Sequence, residues 1–263
     1  MNQNLFQNLE NGIHIWWSIL DQPPDLVNKY KHMLSPEEQK RVNNLKFRLL
    51  RDRQIISRGI LRQVLSKYLN IDIKRIEFTY NKFGKPSLSP KLDDFNLHFN
   101  MSHSEQLGIF AFAIGSAIGV DVEEIKGSLN FEDVIELCFS DFEKSWFYDI
   151  APGMRKEVFY KIWTAKEAFI KALGTGFSFP VKNIEFKLNR DNNLSFHSIS
   201  GDYNFVRKWE NFSFNPLPGF ISSLVMEAND LKEKIIVRKI TLTAEAGKLL
   251  SSNDFEDSFS GFR

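Results

Sequence analysis

Apolar residues recur with helical spacing over 157–173. Phe159, Ile162, Trp163, Phe169, Ile170 and Leu173 fall on one arc at ~100° per residue, and Gly174 stands where a helix would close. Lys166 falls in the middle of that arc. Glu167 and Lys171 stand four residues apart on one flank. The pattern admits a snorkelling lysine beside an ordinary surface ion pair. It equally admits a helix that holds an ammonium and a carboxylate at the edge of a cleft. A second helix is predicted over 52–69, with Ile56, Ile60, Leu61, Val64, Leu65 and Tyr68 on one side and Arg53, Arg58 and Arg62 pointing elsewhere. Ser35-Pro36-Glu37-Glu38 reads as a capped helix start, and a further helix is predicted from about 131. Strands are predicted over 12–20, 76–80, 96–101, 107–114, 118–124, 184–188, 203–209, 219–227 and 234–243, with turns at 21–25 and 81–86. The last 20 residues lack a clear period, which points to partial disorder.

The order of these elements repeats. A strand, a Ser-x-x-Glu helix start, a long helix and an Ile-Glu-Phe strand occur in each half. Ser35 and Glu38 answer Ser140 and Glu143 at an offset of 105, and Ile76-Glu77-Phe78 answers Ile184-Glu185-Phe186 at an offset of 108. A duplicated half of about 105–110 residues follows, with a cleft expected where the two halves meet.

Composition narrows the class. The 263 residues are 43% apolar and 14% aromatic, with 25 phenylalanines, which suits a globular chain of packed sheet and helix layers. The formal net charge of +1 gives no global pull toward nucleic acid or membrane, so any phosphate-binding charge must be local. The lone Cys138 excludes an intramolecular disulfide and a cysteine-based zinc site. The N-terminal stretch lacks the basic start and apolar run of a signal peptide, and the apolar run at 108–120 is too short for a membrane span. The expectation is a soluble cytoplasmic protein.

Four stretches carry candidate chemistry. In 118–124, Ile118, Val120 and Val122 face one side of a strand, and Asp121 and Glu123 the other. Carboxylates ~7 Å apart on one strand face repel unless solvated or bridged by a cation. A hard, oxygen-liking ion such as Mg²⁺ fits, with Glu167 as a third ligand. Asn100-Met101-Ser102-His103-Ser104 admits a capped turn, a weak Ser–His nucleophile pair or a phosphate site. Gly84-Lys85-Pro86 puts a lysine on a tight turn. Lys40, Arg41, Arg53, Arg58 and Arg62 give the first half a local excess of cations, which a solvated face also explains. P-loop, dinucleotide-fold and HExxH motifs are absent.

Gly84-Lys85-Pro86, Asn100–Ser104, the Gly119-Val120-Asp121-Val122-Glu123 block and Trp163-Thr164-Ala165-Lys166-Glu167-Ala168-Phe169-Ile170-Lys171 come in the order and spacing of one family. The chain resembles the 4′-phosphopantetheinyl transferases, of the double-length type that activates surfactin synthetase. The similarity is specific over 84–171 and looser over 34–186. Glu105 departs from it, since the family often has Gly after Ser-His-Ser, and the tail beyond about 234 finds no counterpart.

The resemblance implies an α+β fold of two similar α/β halves related by pseudo-twofold symmetry. Each half would be a small antiparallel sheet packed on a long helix, with the active site in the cleft between them. It divides the chain into 1–116 (CoA phosphate and adenine side), 117–240 (metal and catalytic helix) and a tail at 241–263. It also implies Mg²⁺-dependent transfer of phosphopantetheine from CoA to a serine of an apo acyl or peptidyl carrier protein, with release of 3′,5′-ADP. Mn²⁺ is the alternative metal. Asp121, Glu123 and Glu167 would hold the metal, with Glu167 also the base. Lys171 would meet developing phosphate charge, and Lys166 would line the CoA site. Arg53, Lys85, Ser102 and His103 would hold the 3′-phosphate and adenine end, with Arg41 or Lys40 beside them. A chain carrying both halves is expected to act as a monomer, without nucleic-acid or membrane partners. The rival readings are a Mg²⁺-dependent phosphohydrolase and a non-catalytic duplicated binding module.

Overall fold

A computed structural model describes residues 9, 12–127, 132–228, 234–242 and 250–251. The expected partial disorder of the tail falls outside these residues except at 250–251.

The first half runs β1 (Gly12–Ile19), α1 (Pro24–Lys31), α2 (Pro36–Asn43), α3 (Arg48–Leu69), β2 (Phe78–Tyr80), β3 (Pro86–Leu88), β4 (Leu97–Ser104) and β5 (Leu107–Ile114). The second half repeats the order: β6 (Ile118–Glu124), α4 (Glu132–Cys138), α5 (Asp141–Phe147), α6 (Pro152–Leu173), β7 (Ile184–Leu188), β8 (Leu194–Ile199), β9 (Trp209–Phe214) and β10 (Phe220–Glu227). β1-β5-β4 in the first half answers β6-β10-β9 in the second. Both Ser-x-x-Glu starts form reciprocal capping boxes at the heads of α2 and α5. The duplication read from the sequence is therefore present in the fold.

Four layers stack. α3 lays Ile56, Ile60, Leu61, Val64 and Leu65 on one face of the first sheet, against Trp16, Phe99, Phe110 and Phe112. The other face of that sheet meets the second through Ile13, Ile15, Ile109 and Ala111 against Ile118, Val120, Val122 and Leu224. α6 covers the far side, packing Phe159, Ile162, Phe169 and Ile170 with Ile221 and Val225. α6 ends in Gly174 at φ 68, where the left-handed cap sends its N–H to Ile170 O.

Some local expectations differ. The predicted turn at 21–25 gives way to α1, because Pro23 and Pro24 occupy the positions before and inside a helix start. The stretch 203–209 is a 3₁₀ turn at Phe205–Lys208 that leads into β9, and β8 is a strand that the pattern does not mark. The first sheet is mixed rather than purely antiparallel. β11 (Lys234–Thr241), which the expected division at 240 places at the end of the second half, returns to pair with β1 in parallel and carries β12 (Leu250–Ser251) beyond it.

Candidate active site

The two halves meet along β4 and β6, and side chains bond the seam. Asn100, Ser102 and Ser104 alternate onto the β4 face that looks at β6. Asn100 Oδ1 accepts from Val120 N (2.9 Å) and Ser104 Oγ from Glu124 N (3.1 Å), so the open edge of β6 is satisfied by side chains. Ser102 Oγ donates to Asp121 Oδ1 (2.8 Å) and Ser104 Oγ to Glu123 Oε2 (3.0 Å). The Asn-x-Ser-x-Ser spacing thus orients the two carboxylates of β6.

α6 supplies the other wall. Gly119 lets the strand touch the helix: a Cβ there would lie 2.0 Å from Ala168 O and 2.4 Å from Ala172 N. At that approach Lys171 Nζ reaches Asp121 Oδ1 (2.6 Å), Ser102 Oγ (2.8 Å) and Val120 O (3.3 Å). Lys171 therefore crosses to β6; the flank pair with Glu167 suggested by the four-residue spacing is not its principal contact. Lys85 from the β2–β3 turn donates to Ala172 O (2.8 Å) and Ile118 O (3.2 Å), and burial pulls its pKa down to about 8.

Asp121, Glu123 and Glu167 come together here. Burial and the charge of Asp121 push Glu167 up to about 7, with Glu123 adding to the rise and Lys171 opposing it. Burial, then Asp121, also raises Glu123, against the Ser104 hydrogen bond and the charge of Lys171. Asp121 Oδ2 and Glu167 Oε1 are buried and have no hydrogen-bond partner. Among the described residues no group of three His, Cys, Asp or Glu side chains forms a ready-made metal cage. Two orphaned carboxylate oxygens in a crowded acidic cluster nonetheless fit a hard divalent cation, because Mg²⁺ takes few protein ligands and completes its shell with water and phosphate oxygens.

A cavity of about 280 Å³ adjoins the seam, lined by Glu38, Arg41, Val42, Leu45, Gln54 and Arg58 of α2, α3 and the connection between them. Arg41 reaches it while stacking 4.5 Å over Tyr80; Lys40 does not line it. Arg58 Nη1 is buried there without a partner. His103 borders the cavity. Its Nε2 lies 3.2 Å from Gln54 Oε1, and the surrounding protein, then the charges of Lys171, Arg58 and Arg53, hold its pKa below the usual imidazole range.

Lys85, expected at the 3′-phosphate and adenine end, instead spends its ammonium on Ala172 O and Ile118 O, and three more expected residues have other partners. Lys166 lines no cleft. It is fully buried, 2.5 Å from Glu143 Oε2, with bonds to Cys138 O and Val181 O. The charge in the middle of the apolar arc is paired inside the core rather than held at a cleft, which corrects the expectation. Arg53 is forked onto Asp21 through Nε (2.6 Å) and Nη2 (3.0 Å), with Nη1 on Glu105 (3.1 Å). Ser102 spends its hydroxyl on Asp121 and Lys171. Conversely, the sequence pattern gives no sign of Gln54 at the cavity, and it marks Arg58 only as one of several cations that a solvated face also explains. Arg58 sits on the polar side of an amphipathic helix, and only the fold shows that this side faces a cavity.

The match to known proteins covers both halves. Residues 24–114 match the model described as 4′-phosphopantetheinyl transferase, N-terminal, and 117–219 match the 4′-phosphopantetheinyl transferase superfamily. The 4′-phosphopantetheinyl transferase HetI of Nostoc sp. is 32% identical over 180 residues, 68% of this chain and 76% of HetI. The 4′-phosphopantetheinyl transferase Sfp of Bacillus subtilis is 29% identical over 170 residues, 64% of this chain and 72% of Sfp. Among solved structures, the Thermotoga maritima holo-[acyl-carrier-protein] synthase is 26% identical with a TM-score of 0.34, covering 43% of this chain and 63% of that one.

Proposed function

This chain belongs to the 4′-phosphopantetheinyl transferase superfamily, and from that premise we propose how its own residues divide the work. The enzyme transfers phosphopantetheine to carrier proteins. In our reading the donor is CoA, the acceptor is a serine hydroxyl of an apo acyl or peptidyl carrier domain, and 3′,5′-ADP leaves.

Asp121, Glu123 and Glu167 hold a divalent cation, Mg²⁺ or alternatively Mn²⁺. When bound, that cation supplies charge neutralisation on the pyrophosphate. The orphaned Asp121 Oδ2 and Glu167 Oε1 are the observation that carries this assignment. Glu167 also accepts the serine proton, directly or through water, because its carboxylate stands beside the cation where the hydroxyl must lose that proton. Lys171 neutralises charge that grows on the transferring phosphate. Arg41, Arg58, Gln54 and His103 receive the nucleotide end, since they surround or border the cavity and Arg58 brings an uncommitted donor. Lys85 and Ser102 act one step back, holding α6 and Asp121 in register across the seam.

Both halves of this site come from one chain, so a monomer suffices. The near-neutral charge offers nothing for nucleic acid, and no described helix is long and apolar enough to cross a membrane. We place its work in the cytoplasm.

Mass spectrometry of apo carrier proteins incubated with CoA and the enzyme tests the whole reading. One phosphopantetheine should appear on serine with Mg²⁺ present and vanish with chelator. Undiminished transfer in chelator would remove the metal assignment. Consumption of CoA without a gain on the carrier would turn the reading to a phosphohydrolase.

A further inference from the structure

Glu105 occupies the first position of the two-residue turn between β4 and β5, at φ 47. That left-handed conformation suits glycine or asparagine and is strained for a side chain such as glutamate. The carboxylate it carries is not idle. Oε2 lies 3.1 Å from Arg53 Nη1 and Oε1 lies 2.7 Å from Lys126 Nζ. Arg53 belongs to α3 of the first half. Lys126 follows β6 of the second half, with its backbone N–H fixed on Tyr160 Oη (3.1 Å). One carboxylate therefore bridges a cation from each half.

The state of Arg53 gives the bridge its meaning. Asp21 already takes Nε and Nη2, which locks the guanidinium plane from behind. Nη1 is the nitrogen left to face the seam, and Glu105 covers it. Arg53 is next to Gln54 and near Arg58 along α3, both on the cavity wall, and its charge reaches His103. The Glu105 and Lys126 side chains are 37% and 51% exposed, so this carboxylate is open to solvent and to a competing anion although Arg53 itself is buried.

We propose that Glu105 fills, with its own carboxylate, an anion position between Arg53 and Lys126 that a phosphate of CoA takes over on binding, so that this residue sets the affinity for the nucleotide end. The inference rests on the reading above that this end of CoA lies along α3. Displacing Glu105 leaves Asp21 holding Arg53 in place and exposes two cations at once. The carboxylate thus acts as a built-in competitor that weakens CoA and 3′,5′-ADP alike.

Calorimetry on the full-length enzyme tests this with CoA, dephospho-CoA and 3′,5′-ADP as titrants. Glu105→Gln removes the charge, and Glu105→Gly also relieves the turn. Each should bind CoA about two- to fivefold tighter, the range expected when an exposed ion pair is no longer in competition. The gain should be absent when Arg53→Ala is combined with Glu105→Gln. A gain for CoA but not dephospho-CoA would identify the displacing group as the 3′-phosphate; a gain for both would identify the pyrophosphate. Unchanged or weaker CoA binding in both Glu105 variants, while Arg53→Ala alone still weakens CoA, would overturn the competitor role and leave the placement of CoA standing. No effect of Arg53→Ala alone would instead remove Arg53 from the CoA site, and this proposal with it.

Discussion

Glu143 Oε2 lies 2.5 Å from Lys166 Nζ, and neither side chain is reached by solvent. The first half contains its counterpart. Glu38 Oε2 lies 2.6 Å from Arg62 Nε, with both side chains nearly buried. Each acid is the third residue of a capped helix, and each base lies on the long helix that follows. Each base also bonds two backbone carbonyls, those of Ile73 and Ile76 for Arg62 and those of Cys138 and Val181 for Lys166. The pair ties a helix start, a long helix and the approach to the next strand together in both copies of the repeat. In the second half it fixes the rotation of α6, and with it the direction in which Glu167 and Lys171 point.

Lys166→Met should therefore act through the fold. It leaves Glu143 buried without its cation, at a cost of about 3–5 kcal/mol. Urea unfolding should show that loss, and Glu143→Gln combined with Lys166→Met should recover part of it. A single variant of wild-type stability with a raised KM for CoA would return Lys166 to the substrate site.

Gly119→Ala should cost more than an ordinary glycine replacement. The new methyl would sit 2.0 Å from a carbonyl oxygen of α6, and backbone cannot step aside as a flexible side chain can. Overpacking of this kind costs about 1–3 kcal/mol, occasionally more. Because the same contact brings Lys171 to Asp121, transfer rate should fall along with the melting temperature. Ala at 119 with both quantities unchanged would mean that β6 and α6 stand farther apart than described.

Much of this is legible in the sequence. Asp121 and Glu123 alternate with three apolar residues, so their common face follows from strand geometry alone, and the Ser-x-x-Glu pairs mark both halves. What cannot be read is which polar groups consume one another. Lys166 breaks the apolar arc, and periodicity cannot distinguish a cleft from a buried partner 23 residues away. Arg53, Arg58 and Arg62 share one helix, yet the fold gives them three fates: a fork on Asp21, a cavity wall and a core ion pair. Ser102 and Ser104 read as a phosphate loop because the strand they brace is contiguous with them only in space.

Lys85 should give stability a distinct pH dependence. Its folded pKa is about 8, against 10.5 for a solvated lysine. Between those values the unfolded chain holds a proton that the folded one has released, so unfolding takes up a proton and stability rises with pH. The contribution is on the order of 3 kcal/mol across that window, at ~1.4 kcal/mol for each pH interval of one. Unfolding free energies from pH 7 to pH 10 should show the rise relative to Lys85→Met, which lacks the titrating group. Parallel curves for the two proteins would show that the ammonium is solvated in the seam.

Glu167 and Lys171 separate proton transfer from charge stabilisation. If Glu167 only held the cation, Glu167→Gln would be partly rescued by excess Mg²⁺. If it also takes the serine proton, rescue should fail at saturating metal, because an amide cannot accept that proton. Lys171→Ala should lower the single-turnover rate by about 10²-fold or more while changing CoA affinity little, since the charge it meets grows toward the transition state. Its removal also releases Asp121 Oδ1 from a 2.6 Å contact, so metal affinity should rise as the rate falls. Lys171→Arg should recover little, because a planar guanidinium cannot fit among Ser102, Asp121 and Val120 O as a compact ammonium does. Single-turnover transfer to one carrier, beside calorimetry of CoA and Mg²⁺, reads all three variants. A Lys171→Ala enzyme with wild-type rate would place the growing charge elsewhere and leave Lys171 as a brace between α6 and β6.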